Sequence, residues 1–164
     1  MVNVGNDRAD FVARSPHIFL VKVPVLDTES QAKAGLGGIV YKTRHVSEEA
    51  LVDAAAFSGQ WWVGAIKKRP ENPFPDRISV GRATNCDVVV RVSFVSKLHA
   101  HFLVGPGGEL RVQDQRSANG TRLNGRELPA GISATVVAGD TVCFGAVELK
   151  LMNAGALFDL LGRS

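Results

Sequence analysis

The sequence predicts a mainly β protein: an antiparallel β-sandwich with a short helix-containing extension before it and a short helical tail after it. Three observations predict this. Short runs rich in β-branched and aromatic residues recur between residues 61 and 152. Turn-forming pairs separate them, in a chain holding 17 Gly and 7 Pro, and connections this short suit antiparallel neighbours, since parallel ones need long crossovers. The 164 residues, 45% hydrophobic and 21% charged, can bury one core and are too apolar for a disordered chain.

Element by element, His17–Val23 reads as a strand ended by Pro24, and Thr28–Gly38 reads as loop. Ser47 is a good N-cap ahead of Glu48 and Glu49. Leu51, Ala54 and Ala55 share one face, so a helix is expected over Glu48–Ser58, stopped by Gly59. Strands are expected at Trp61–Lys67, Arg77–Val80, Asp87–Val90, Ala100–Val104, Leu110–Gln113, Ala134–Val137, Thr141–Phe144 and Val147–Met152. Pro70–Pro75, Gly105–Gly108, Asn119–Gly120, Asn124–Gly125 and Gly139–Asp140 supply the turns. Asn153 caps a last helical stretch with Leu157, Leu160 and Leu161 on one face and Gly162 at its end. The expected division is therefore an extension over 1–60, a β domain over 61–152 and a tail over 153–164.

Composition excludes several functions. No apolar run approaches the roughly 20 residues that span a bilayer, and the charged N-terminus lacks the apolar core of a secretory signal. A cytoplasmic protein is expected. Cys86 and Cys143 stand far apart with no CxxC spacing, which argues against a disulfide scaffold or a cysteine zinc site. His99 and His101 lack a third ligand at useful spacing, so no metal and no cofactor is expected. No nucleophile elbow, HExxH or phosphate-loop motif is present, and no enzyme is expected. The net charge of +3 lies wholly within residues 77–150. It is too small for a nucleic-acid face and suits a site for one small anion.

The loop residues carry the functional signal. Arg82 offers a planar guanidinium, Lys97 a point charge and Ser96 a hydroxyl donor, all between strands where a rigid sandwich can present them. Gly81-Arg82, Asp87-Val88-Val89, Ser96-x-x-His99, Asn119-Gly120-Thr121 and Asn124-Gly125 occur in that order, followed by Gly139-Asp140 and Phe144-Gly145. In this order residues 61–152 resemble the forkhead-associated (FHA) domain family, as a small bacterial-type member with an N-terminal extension.

The resemblance implies a non-catalytic module that binds a phosphothreonine-containing protein or peptide in Ser/Thr kinase signalling. It implies that Arg82, Ser96 and Lys97 contact the phosphate and that Asn119 bonds the peptide main chain. Gly81, His99, Gly120, Thr121 and Asn124 would hold the loops, and Phe94 and Arg122 would read flanking peptide residues. Family members often have Thr or Ser before the Asn-Gly-Thr motif. Here it is Ala118, which keeps only its backbone N–H as a donor. Ser117 is expected to point the other way. Losing one hydrogen bond to a charged group weakens binding by about tenfold. A phosphorylation-independent scaffold or self-association module on the same fold is the alternative reading.

Overall fold

Alternation builds the strands. Along Val147–Met152 the residues are buried and exposed in turn, with Val147, Leu149 and Leu151 facing inward, as a strand with one wet face requires. The computed structural model describes residues 4–15, 17–22 and 61–162. The expected loop at Thr28–Gly38 and helix at Glu48–Ser58 lie outside them. The described elements are α1 (Val4–Arg14), β1 (Phe19–Lys22), β2 (Trp62–Ala65), β3 (Arg77–Gly81), β4 (Val88–Val89), β5 (Ala100–Val104), β6 (Leu110–Asp114), β7 (Thr121–Leu123), β8 (Arg126–Leu128), β9 (Ser133–Val136), β10 (Thr141–Phe144), β11 (Val147–Met152) and α2 (Ala154–Leu161).

The strands form a six-stranded sheet, β2-β1-β11-β10-β7-β8, and a five-stranded sheet, β4-β3-β5-β6-β9. Leu20, Val142, Phe144, Leu149 and Leu151 of the first sheet meet Ile78, Val80, Phe102, Val112 and Val136 of the second in one core. The Phe102 and Phe144 rings meet nearly edge to face, with centroids 6.4 Å apart. This is the expected sandwich.

Several local readings change. β7 and β8 are strands where only their turn was expected: Asn124 and Gly125, at φ 49° and 81°, make a tight hairpin. β4 shrinks to two residues and pairs with β3 in parallel, against the expectation of purely antiparallel neighbours. Such a short parallel connection closes because a side chain completes it. Asp87 accepts from the Ser79 N–H at 2.7 Å and the Ser79 hydroxyl at 2.8 Å, and its own N–H donates back to Ser79 Oγ at 2.9 Å.

The N-terminal segment enters the sandwich. β1 lies before residue 61, yet it pairs with β11 and β2, Leu20 opposite Leu151 and Gly64. α1 packs on α2: Arg8 donates to both carboxylate oxygens of Asp159 at 2.8 and 3.0 Å, and the Phe11 and Phe158 rings are 5.6 Å apart. Asn153 Oδ1 caps α2 by accepting from the Ala156 N–H at 2.8 Å. On α2, Leu157 is buried, whereas Leu161 is 49% exposed and lies outside the apolar face expected of it. Among the described residues no helix is long and apolar enough to cross a membrane.

Candidate functional site

β3 ends at Gly81, where the chain must pass against the 96–98 loop. A Cβ there would strike the Lys97 carbonyl oxygen and come within 3.0 Å of the Leu98 Cα. Glycine permits the approach, and the two loops then join backbone to backbone. The Arg82 N–H donates to Ser96 O at 2.9 Å and the Ala83 N–H to Lys97 O at 3.1 Å. Arg82 Nε donates to Val95 O at 3.1 Å. That bond fixes the guanidinium on the loop and leaves its two terminal nitrogens facing outward, without partners among the described residues.

Ser96 sits where three loops meet. Its N–H donates to His99 Nδ1 at 3.1 Å, and its Oγ accepts from the Ala118 N–H at 3.0 Å. The Ala118 N–H is therefore spent on Ser96 and is not an independent donor, which corrects the sequence reading. The Ser96 hydroxyl keeps its own proton, and accepting a bond makes that proton a better donor.

His99 is fully buried. Because Nδ1 accepts, the ring proton lies on Nε2, which donates to Gly120 O at 3.0 Å. Burial holds the His99 pKa below its ordinary 6.5, against the opposing pull of the Gly120 carbonyl and of Asp114. The ring is therefore neutral, and its 4.0 Å approach to Asp114 is no ion pair. His101 takes no part, and both His99 nitrogens are spent on the loops rather than on a metal.

Asp114 organises the third loop. Its carboxylate accepts from the Ser117 N–H at 3.0 Å, the Ser117 hydroxyl at 2.6 Å and the Thr121 hydroxyl at 2.6 Å. Ser117 Oγ in turn accepts from the Gly120 N–H at 2.9 Å. Asn119 Nδ2 donates to Phe94 O at 3.0 Å, tying this loop to the 94–96 stretch. The β10–β11 turn closes the end: Gly145, at φ 61°, donates its N–H to Gly120 O at 2.9 Å, and a Cβ on it would sit 2.7 Å from Phe94 O.

Arg82, Ser96, Lys97, Asn119, Gly81, His99, Gly120 and Thr121 thus converge at one end of the sandwich. Lys97 is exposed and held through its backbone, its carbonyl accepting from the Ala83 N–H and the Cys86 thiol. Other expected residues do not join them. The Phe94 side chain is 4% exposed and packs in the core. Its carbonyl, not its ring, borders the loops, so adjacency in sequence misjudged its direction. Arg122 stands on the six-stranded sheet, in register opposite Cys143 and Glu127. Asn124 lies at the far end, where its Oδ1 accepts from the Thr141 N–H at 2.9 Å.

Sequence reasoning missed Asp114, whose signal was a serine three residues later, and Arg116. Arg116 is exposed and holds φ 56°, a left-handed backbone costing a non-glycine residue about 1 kcal/mol or more. Chemically, the end presents a fixed guanidinium, an ammonium and a polarised hydroxyl. That set suits a tetrahedral dianion.

A family model described as the FHA domain matches residues 78–145. The chain is 36% identical over 75 residues to the ABC transporter ATP-binding/permease protein Rv1747 of Mycobacterium tuberculosis. That stretch is 46% of this chain but only 8% of the transporter. The N-terminal FHA domain of Rad53p from Saccharomyces cerevisiae, solved in complex with a phosphothreonine peptide, superposes with a TM-score of 0.50. The identity there is 22%, over 63% of this chain and 93% of that one. The FHA-2 domain of the same M. tuberculosis transporter superposes with a TM-score of 0.42 at 32% identity, over 54% of this chain and 77% of that one. The family model thus covers residues 78–145, and the likeness to the Rad53p domain is one of fold: the two-sheet sandwich.

Proposed function

We propose that the loop end captures phosphothreonine peptides, without turnover, as the reading module of a Ser/Thr kinase pathway. One observation carries this: Ser96 Oγ, its lone pair taken by the Ala118 N–H, stands on the loop that also fixes Arg82 and bears Lys97. The phosphate of phosphothreonine brings about −1.5 to −2 charges. Arg82 and Lys97 balance that charge, Ser96 donates its hydroxyl to a phosphate oxygen, and Asn119 bonds the peptide main chain. Without phosphate the cations stay hydrated and gain nothing from the peptide, which gives selectivity. Kinase signalling places the domain in the cytoplasm, and both cysteines are free and buried. We count β1 with the functional domain, because it lies between β2 and β11 in the sheet.

Calorimetric titration against matched phosphothreonine, phosphoserine and unphosphorylated peptide pools tests the reading. Binding is expected for the phosphothreonine pool alone. Arg82→Ala should lower it by about tenfold or more with an unchanged melting temperature. A partner that stays bound after phosphatase treatment would replace this reading with a phosphorylation-independent scaffold.

A further inference from the structure

From the charge left over at the loop end we infer that the site has an auxiliary anion subsite, formed by Arg91 and Arg116. It would read a second negative group beside the phosphothreonine, and the inference rests on the function proposed above.

Both arginines are exposed, and each is the outward residue between two anchored neighbours. Arg91 lies between Val90 and Val92, which are 0% and 1% exposed. The Val90 N–H donates to Gly81 O at 2.9 Å and the Val92 N–H to Val90 O at 2.9 Å. The Arg91 backbone is therefore fixed beside the strand end that carries Arg82. Arg116 lies between Gln115, whose N–H donates to His99 O at 2.9 Å, and Ser117, held twice by Asp114. Two residues further on, the Ala118 N–H grips Ser96.

Neither guanidinium has a protein partner among the described residues. The aspartates on the same elements are consumed by the scaffold. Asp87 accepts from Arg69, Asn72 and Ser79, and Asp114 from Ser117 and Thr121. Acidic groups here thus work inward while basic groups point outward. Glu127 is the exposed carboxylate on this side, near Gly120 and opposite Arg122 in register.

The backbone strengthens the case for Arg116. A left-handed tip is easiest for glycine or asparagine, and among the described residues asparagine occupies the other such non-glycine site, Asn124. A long cation held in that conformation is costly in the free protein, as is common where a residue meets a ligand. The subsite takes a carboxylate or a second phosphate, since a guanidinium fork accepts either.

The test uses the full chain and one phosphothreonine peptide sequence made in three forms. Flanking positions carry alanine, aspartate or a second phosphothreonine. At low salt the aspartate form should bind about three- to tenfold tighter than the alanine form, and added salt should narrow the gap. The doubly phosphorylated form should gain more, which ranks the two anion sources. The Arg91→Ala/Arg116→Ala double variant should lose the preference among the three forms while still binding the phosphothreonine they share. Equal affinity for all three forms, or a preference that survives in the double variant, overturns the subsite and leaves the phosphothreonine reading standing. Failure of every form to bind overturns both.

Discussion

The two ends of the sandwich are held by different physics. At the loop end, side chains bond to the backbone of three loops: buried His99 to Ser96 and Gly120, buried Asp114 to Ser117, and half-buried Asn119 to Phe94. At the helix end, the contacts between α1 and α2 among the described residues include an exposed ion pair and a ring contact. A groove of about 470 Å³ between α2 and the β9–β10 turn is lined partly by Ala138, Met152, Ala156 and Leu160. Exposed ion pairs contribute little, whereas a buried polar group left without its partner is expensive. The loop end is therefore preorganised at the cost of sensitivity, and the helix end tolerates change.

The largest expected effect tests the sensitive end. Asp114→Ala leaves the Ser117 and Thr121 donors unpaired and should cost about 3 kcal/mol or more, with the phosphothreonine affinity falling as well. Urea melts and peptide titration would show it, and a loss below about 1 kcal/mol would erase the contrast between the ends. At the helix end, Phe158→Ala removes the ring contact and should cost about 1–2 kcal/mol. Peptide affinity should not change. If it drops, the two ends are coupled and the comparison fails.

The smallest effect is a pH dependence. Burial lowers the pKa of His99, and of His101 with help from nearby Arg77. Below their ordinary 6.5 the unfolded chain binds protons that the folded rings resist, so stability falls on acidification. The melting temperature should decline between about pH 7.5 and pH 5.5. His99→Gln should flatten more of that decline than His101→Gln, because His99 is the more deeply buried ring. The reverse order would put the titrating scaffold outside the loop end.

Legibility in the sequence followed the range of the interactions. β5 and β11 were legible to their ends, because alternating burial over five to six residues leaves a period-two pattern, and β10 was legible as a short apolar run between turn signals. β7 and β8, three residues each, are too short to show a period and left only their Asn-Gly turn. α1 was invisible because its described partners, Asp159 and Phe158, lie at the other end of the chain. At the site, Arg82, Ser96, Lys97 and Asn119 were reachable because loop chemistry and motif order coincide. Asp114 hid as a strand-end carboxylate whose work is across three and seven residues. The left-handed backbone at Arg116 leaves no trace in residue type.

The pairing of β1 with β11 bears on how the protein is made. Leu20 and Val21 have register partners at Leu151 and Lys150, and the ribosome delivers those partners about 130 residues later, on the order of 10 s at ordinary rates. Until then β1 has no strand on its β11 side, even after the opposing sheet has been made. An unpaired apolar edge of that kind recruits other chains. Vectorial synthesis should thus make the nascent polypeptide dependent on a holdase or on low local concentration, although the finished sandwich needs neither.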